Sequence, residues 1–156
     1  MAIFAECFEK NQVVARRQNY HAGDLIFSEA DEADGVYFVE SGEVRISRKM
    51  PLTDGEINLS ILKRDEFFGI VSFLTGRTRM ADARAITDCY LWMVNKETFH
   101  EIVTKSPEFA WLVIQGLLKR LEELHIKMKD TSKQVAEFTT RIEDISSLWH
   151  SLITWG

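Results

Sequence analysis

The chain has 156 residues, is 46% hydrophobic, carries a net charge of −5 and contains two cysteines. This length suffices for one buried core, and no apolar run approaches the length of a membrane span. The negative charge disfavours direct binding to DNA, which needs a clustered basic face. Cys7 and Cys89 lie far apart without neighbouring ligand residues, which predicts neither a disulfide framework nor a metal site.

The first ten residues include Glu6, Glu9 and Lys10, so they lack the apolar core of a signal peptide. We therefore expect a cytoplasmic protein with no membrane partner.

From residue 13 to residue 94 the sequence has the character of short β-strands. Apolar and other side chains alternate on both sides of Ser41-Gly42, which predicts a hairpin with one face in the core. Asp54-Gly55 marks a second turn before the alternating Ile57, Leu59 and Ile61, and residues 90–94 are apolar enough for a buried strand. Short strands joined by glycine-marked turns favour an antiparallel roll or barrel. Phe67-Phe68 we interpret as core packing rather than as a platform for a stacked base.

A short helical turn framed by Gly69 and Gly76 is followed at once by a basic, strand-like stretch containing Arg79. Glycine lets backbone N–H groups approach a ligand, the start of the turn offers unpaired donors, and an arginine can fork onto a phosphate. The segment has the layout of a small anion pocket.

Together with residues 20–27, 33–39 and 41–46, residues 69–85 resemble the phosphate-binding cassette and first strands of cyclic-nucleotide-binding domains. Bacterial catabolite-activator-type regulators and the regulatory subunits of cAMP-dependent kinases contain such domains. The resemblance covers about residues 12–128 and implies an α+β fold: an antiparallel β-roll, jelly-roll-like and built as a double-stranded β-helix, followed by C-terminal helices. It places the candidate ligand contacts at Gly69, Ile70, Val71, Ser72, Arg79, Met80, Ala81 and Asp82.

Two of these positions depart from the family pattern. Ile70 stands where the family has a glutamate that accepts a hydrogen bond from the ribose 2′-hydroxyl, a loss worth roughly 1.5–3 kcal/mol, or about ten- to a hundredfold in affinity. Asp82 replaces a small hydroxyl residue near the base. Its carboxylate either pairs with Arg79 and neutralises the site, or accepts a hydrogen bond from a guanine edge. The cassette is therefore a degenerate one.

The tail carries a sustained heptad pattern. Steps of four and three residues from Ala110 to Leu152 meet apolar side chains throughout, with Thr131 as the one polar member. This pattern predicts a coiled coil, and hence a homodimer through residues 110–152, because a protruding apolar stripe must be buried. The Thr-x-x-Gln pattern at residues 131–134 also fits a helix start, which leaves open a hairpin of two helices. The resemblance likewise implies paired helices. We place the domain boundary after residue 95, with a β-roll at 1–95 and helices at 96–156.

The chain shows no pattern expected of an enzyme. Its four histidines have neither metal-ligand spacing nor a recognisable nucleophile nearby, and His125 is the one candidate for an axial haem ligand of the kind some relatives use. The sequence supports a cofactor-free regulatory module that binds a cyclic nucleotide or other small anion. The alternative is a scaffold that dimerises constitutively around a vestigial pocket. We expect no direct DNA binding, because no helix-turn-helix follows the long helices.

Overall fold

The structure, a computed structural model, describes residues 2–154. In chain order the elements are α1 (Ile3–Lys10), β1 (Arg16–Tyr20), β2 (Leu25–Phe27), β3 (Val36–Ser41), β4 (Val44–Lys49), β5 (Glu56–Leu62), β6 (Phe67–Phe68), α2 (Ile70–Thr75), β7 (Asp82–Ala85), β8 (Cys89–Val94), α3 (Lys96–Lys105) and α4 (Pro107–Thr154). Sheet A has the strand order β1-β8-β3-β6 and sheet B the order β2-β7-β4-β5. The strand pairs are antiparallel, which confirms the predicted β-roll followed by a long C-terminal helix.

The core of the roll draws on both sheets. Its buried members come from β3, β6 and β8 of sheet A and from β4, β5 and β7 of sheet B: Tyr37, Val39, Val44, Leu62, Phe68, Ala83, Ala85, Cys89 and Leu91. Phe67 and Phe68 are buried, which confirms that they serve core packing. Cys7 and Cys89 are free, buried thiols, and burial raises the pKa of each.

A layer of phenylalanines covers the other face of sheet A. Phe38 of β3 has ring centroids of Phe4, Phe8 and Phe109 at 4.6, 5.6 and 5.5 Å. Because this layer covers β3, Val36 through Val39 are all buried. The prediction that the hairpin has only one face in the core was therefore wrong for β3.

Two other strand details differ from the sequence reading. In β8, whose residues 90–94 were predicted to form a buried strand, Tyr90 is exposed, while Cys89 and Leu91 on either side of it are buried. In β5 a β-bulge leaves Leu59 unpaired, because the consecutive Ile46 and Ser47 of β4 pair with Ser60 and Asn58. Bulges of this kind interrupt strict alternation, so the simple period-two pattern does not extend along the whole strand.

The chain divides into two compact units, residues 1–113 and 114–156. The boundary predicted after residue 95 stays a prediction. Helix α4 runs without a break through residues 130–134, so the hairpin alternative is not what the chain forms. Thr131 donates its hydroxyl to the carbonyl of Lys127 at 2.9 Å, a bond within the helix rather than a cap. No described helix is long and apolar enough to cross a membrane.

Candidate functional site: an anion pocket around Arg79

Gly69 is the residue that brings the backbone of the site close to Arg79. Its φ of 78° lies in the left-handed region, directly before α2. A Cβ at this position would lie 2.6 Å from Nη1 of Arg79, which no ordinary contact permits. Gly69 is thus required both for the backbone conformation and for the space that the arginine occupies.

The Arg79 guanidinium is held by two backbone carbonyls. Nη1 donates to the oxygen of Gly69 at 2.6 Å, and Nη2 donates to the oxygen of Gly35 at 2.7 Å. The residue is only 2% exposed, and its Nε is buried without a hydrogen-bond partner in the described part of the chain. This is an unusual environment for a cation, since buried polar groups are nearly always paired.

Aromatic rings form one wall of the site. The guanidinium carbon lies 4.2 Å from the ring centroid of Phe27 and 5.9 Å from that of Tyr37. Burial lowers the pKa of Arg79, while Tyr37, Asp34 and Asp31 act in the opposite direction. Burial also raises the pKa of Tyr37 to about 12, so this phenol remains neutral at physiological pH.

Arg79 forms an ion pair with the carboxylate of Asp34. Its Oδ1 lies 3.7 Å from Nη2, beyond hydrogen-bond distance, and its side chain is 70% exposed. An exposed carboxylate at this distance balances the buried charge only in part, because solvent screens it.

The eight predicted contact residues are divided between the interior and the surface. Ile70, Ser72, Arg79 and Ala81 are buried, whereas Val71 and Met80 are about half exposed. Ile70 is the first residue of α2, and its aliphatic side chain supplies no hydrogen-bond acceptor to the site.

Asp82 does not neutralise Arg79. It begins β7, and its Oδ1 accepts a hydrogen bond from the backbone N–H of Glu29 at 2.6 Å. No ion pair joins it to Arg79 among residues 2–154. Of the two roles left open for Asp82, the pairing with Arg79 is not formed, because its carboxylate accepts from the N–H of Glu29 while the guanidinium donates to two glycine carbonyls.

Residues 17–106, more than half of the chain, match the family described as the cyclic nucleotide-binding domain. The chain belongs to this family. The matched segment of the cyclic nucleotide-binding domain includes both sheets, the Gly69 turn and Arg79.

Curated relatives share the domain but are longer. The chain is 32% identical over 106 residues to the "Global nitrogen regulator" of Synechococcus elongatus, a match that covers 67% of this chain and 47% of the relative. It is 31% identical over 113 residues to the "Cyclic AMP receptor protein" of Thermus thermophilus, covering 72% of this chain and 52% of that protein. This chain thus spans about half the length of the curated relatives it matches.

Among solved structures, the crystal structure of the Thermus thermophilus catabolite activator protein matches with a TM-score of 0.70 at 29% identity, covering 81% of this chain and 59% of that one. A kinase regulatory subunit, "cAMP bound PfPKA-R", matches with a TM-score of 0.56 at 31% identity, covering 62% of this chain and 34% of that one.

Sequence reasoning found Arg79 and Gly69 but missed the groups that hold the guanidinium. Gly35 supplies a carbonyl that accepts from the guanidinium, and Asp34 supplies the carboxylate 3.7 Å away. Phe27 supplies the ring that the guanidinium faces. The Asp34-Gly35 pair is visible in the sequence as a turn signal, but nothing in its spacing connects it to a residue 44 positions away.

Gly69→Ala and Gly76→Ala form a matched pair that tests how tightly the pocket is built. Both glycines have positive φ, yet nothing lies within 4 Å of a Cβ placed on Gly76. We expect Gly76→Ala to lower the free energy of unfolding by about 1 kcal/mol through backbone strain alone. Gly69→Ala should cost about 2–3 kcal/mol, because it must also displace Arg79. Urea unfolding measures both, and equal losses would contradict this close approach.

Proposed function

We propose that the chain is a non-enzymatic, cytoplasmic sensor that binds a cyclic nucleotide at the Arg79 pocket and relays binding through a homodimer formed by α4. Membership in the cyclic nucleotide-binding domain family supports the ligand class. The same ligand class appears in the names of several relatives and structural neighbours. The proposed contacts remain the eight residues predicted from the sequence.

The observation that carries this proposal is the incomplete pairing of Arg79. Its guanidinium is buried against neutral carbonyls and aromatic rings, and its Nε–H has no hydrogen-bond partner within residues 2–154. A phosphate would supply the missing acceptor and the missing negative charge, and charge-assisted hydrogen bonds of this kind are about twice as strong as neutral ones.

Ligand entry requires Arg79 to become accessible, since the residue is 2% exposed. The bound state therefore has a different arrangement around Gly69 and Gly35, whose carbonyls share the guanidinium with the ligand or release it. A ligand shifts such an equilibrium only by its difference in affinity for the two arrangements. In this proposal the change of arrangement around Arg79 is transmitted to the helices beyond residue 95, and this transmission is the relay.

One observation favours the alternative function, a constitutive dimerisation scaffold. The two hydrogen bonds of Arg79 to carbonyls from separate segments give it a structural role that needs no ligand. The carboxylate bridge expected of a vestigial pocket is absent, however, because Asp82 is bonded to Glu29 instead. The exposed Asp34, 3.7 Å from Nη2, balances the charge of Arg79 only in part, so a ligand anion can still add a favourable interaction, and for that reason we favour the sensor over the scaffold.

A thermal-shift titration tests the proposal. The purified full chain is titrated with cAMP, cGMP and cyclic di-GMP, with adenosine as the control that lacks phosphate. A nucleotide present at a hundred times its dissociation constant should add about 2.7 kcal/mol to the stability of the folded state. We expect a saturable shift with one cyclic nucleotide and none with adenosine. No shift with any nucleotide at millimolar concentration would overturn the sensor in favour of the scaffold.

A further inference from the structure

The outer face of sheet B carries side chains that point away from the core. In β7, Ala83 and Ala85 are buried, so Arg84 between them faces outward. In β4 and β5, the buried Val44 and Leu62 turn the neighbouring Arg45 and Ile61 to the same outer side. We call this surface the sheet-B outer face, and it consists of Leu25, Arg45, Ile61 and Arg84.

Two arginines lie directly opposite each other at its centre. The strand register pairs Arg84 with Leu25 and with Arg45, and pairs Arg45 in turn with Ile61. The four residues thus form one row across the whole sheet. Like charges directly opposite each other on neighbouring strands are destabilising, so this arrangement costs stability unless an anion lies between them.

The chain itself supplies no such anion. Within residues 2–154 neither arginine forms an ion pair: Arg84 donates to the carbonyl of Gly23 at 2.7 Å, and Nε of Arg45 is buried without a hydrogen-bond partner. Other arginines on the sheets do have carboxylate partners. Nε of Arg48 lies 3.4 Å from Oε1 of Glu29, and Nε of Arg17 lies 2.7 Å from Oε2 of Glu40.

Aliphatic side chains flank the arginines on both sides. Leu25 and Ile61, at the two ends of the row, are 43% and 50% exposed. A free inorganic anion would satisfy the arginines and leave these side chains in water. A segment with both carboxylates and apolar side chains would cover both kinds of surface at once.

We propose that the sheet-B outer face docks an acidic amphipathic segment of a partner protein. Carboxylates of that segment bind between Arg45 and Arg84, and its apolar side chains pack on Leu25 and Ile61. The charge complementarity selects an acidic partner over a basic one, and the aliphatic flanks select a protein segment over a free ion.

The face shares two strands with the anion pocket. Strand β2 carries Leu25 on the docking face and Phe27 against the Arg79 guanidinium, and β7 carries Arg84 and begins at Asp82, close after Arg79 in the chain. Ligand binding at Arg79 should therefore alter the affinity of this face. That coupling rests on the proposed function, whereas the docking itself does not.

The test uses two synthetic amphipathic helical peptides that carry leucines on one face and either glutamates or lysines on the other. Fluorescence anisotropy with the full chain measures their dissociation constants. We expect the glutamate peptide to bind and the lysine peptide to fail. Arg45→Ala, Arg84→Ala and Ile61→Ser should each weaken binding by about tenfold. Arg16→Ala, which removes the same charge from sheet A, should change it by less than about twofold. Circular dichroism checks that each variant is folded.

Four outcomes would overturn the docking proposal, and a fifth would overturn only its coupling to the anion pocket. If the lysine peptide bound as tightly as the glutamate peptide, the arginines would not determine binding. Loss of binding in Ile142→Glu but not in Arg45→Ala would place the peptide on α4. A change in the sedimentation of the chain alone in Arg45→Ala would make a second copy the occupant. Competition by inorganic phosphate as effective as the peptide would make the face a small-anion site. A nucleotide that shifts melting without altering peptide affinity would leave the sensor intact and remove only the coupling.

Discussion

Arg79→Ala should lower the free energy of unfolding by about 3 kcal/mol even without a ligand, and should also abolish any shift in melting temperature caused by a nucleotide. The stability loss follows from the two buried carbonyls, of Gly69 and Gly35, which would lose their charged donor, and from the cavity beside Phe27. A hydrogen bond to a charged group contributes about 1.5–3 kcal/mol, and relief of the buried, partly unpaired cation offsets part of the sum. Urea unfolding and thermal-shift titration measure the two effects separately.

Arg79→Lys separates the structural role of the arginine from its ligand-binding role. Lysine keeps the positive charge but lacks the planar fork that reaches two carbonyls at once. We expect it to recover part of the stability lost in Arg79→Ala while nucleotide binding stays at least about tenfold weaker than in the unsubstituted chain. Unchanged stability in Arg79→Ala would contradict the structural role of the guanidinium. A nucleotide shift that survives in Arg79→Ala would contradict its role as a phosphate ligand.

The overall fold could be read from the sequence because its signals are local or depend on order. Glycine-marked turns, such as Ser41-Gly42, and alternating apolar residues placed the strands. The order of the segments that resemble cyclic-nucleotide-binding domains then identified the roll. The heptad pattern likewise gave the long helix, whose bounds the structure sets at Pro107–Thr154.

What the sequence could not give were the contacts between distant segments. Phe4 and Phe8 are spaced as on one helical face, yet nothing local says that they cover Phe38, so the burial of both faces of β3 was missed. The same limit applied to Arg79. Asp82, three residues away, was one candidate partner, but its carboxylate accepts from the N–H of Glu29 and the Gly35 carbonyl accepts from the guanidinium. In both cases tertiary packing decided the outcome.

The continuous α4 shows how a local signal can be overridden. The Thr-x-x-Gln pattern at residue 131 is a recognised helix-start motif, but Thr131 instead bonds the carbonyl of Lys127 within the helix. With its hydroxyl satisfied internally, this threonine needs no partner from outside the helix. It is therefore compatible with a buried position in the predicted coiled-coil seam.

Ile142→Glu should weaken the predicted homodimer by at least about a hundredfold in dissociation constant, which corresponds to about 2.7 kcal/mol. Ile142 lies on the heptad stripe, and the stripe residues Leu124, Phe138, Ile142 and Ile145 are each more than half exposed in the single chain. A stripe of this kind gains its stability by being buried against another helix, and each dimer would have to desolvate two introduced carboxylates.

Thr140→Glu is the matched control, because it adds the same charge two residues away on the outer side of the stripe, where Thr140 bonds the carbonyl of Ala136 within the helix. We expect this variant to change the dissociation constant by less than about threefold, since a rim charge opposite no partner contributes little. Sedimentation equilibrium of the full chain measures all three proteins. A monomeric unsubstituted chain, or equal weakening by both substitutions, would rule out the seam. A dimer lost only in Ile142→Glu, with the melting transition of residues 1–113 unchanged, would establish that α4 holds the copies together while the roll folds independently.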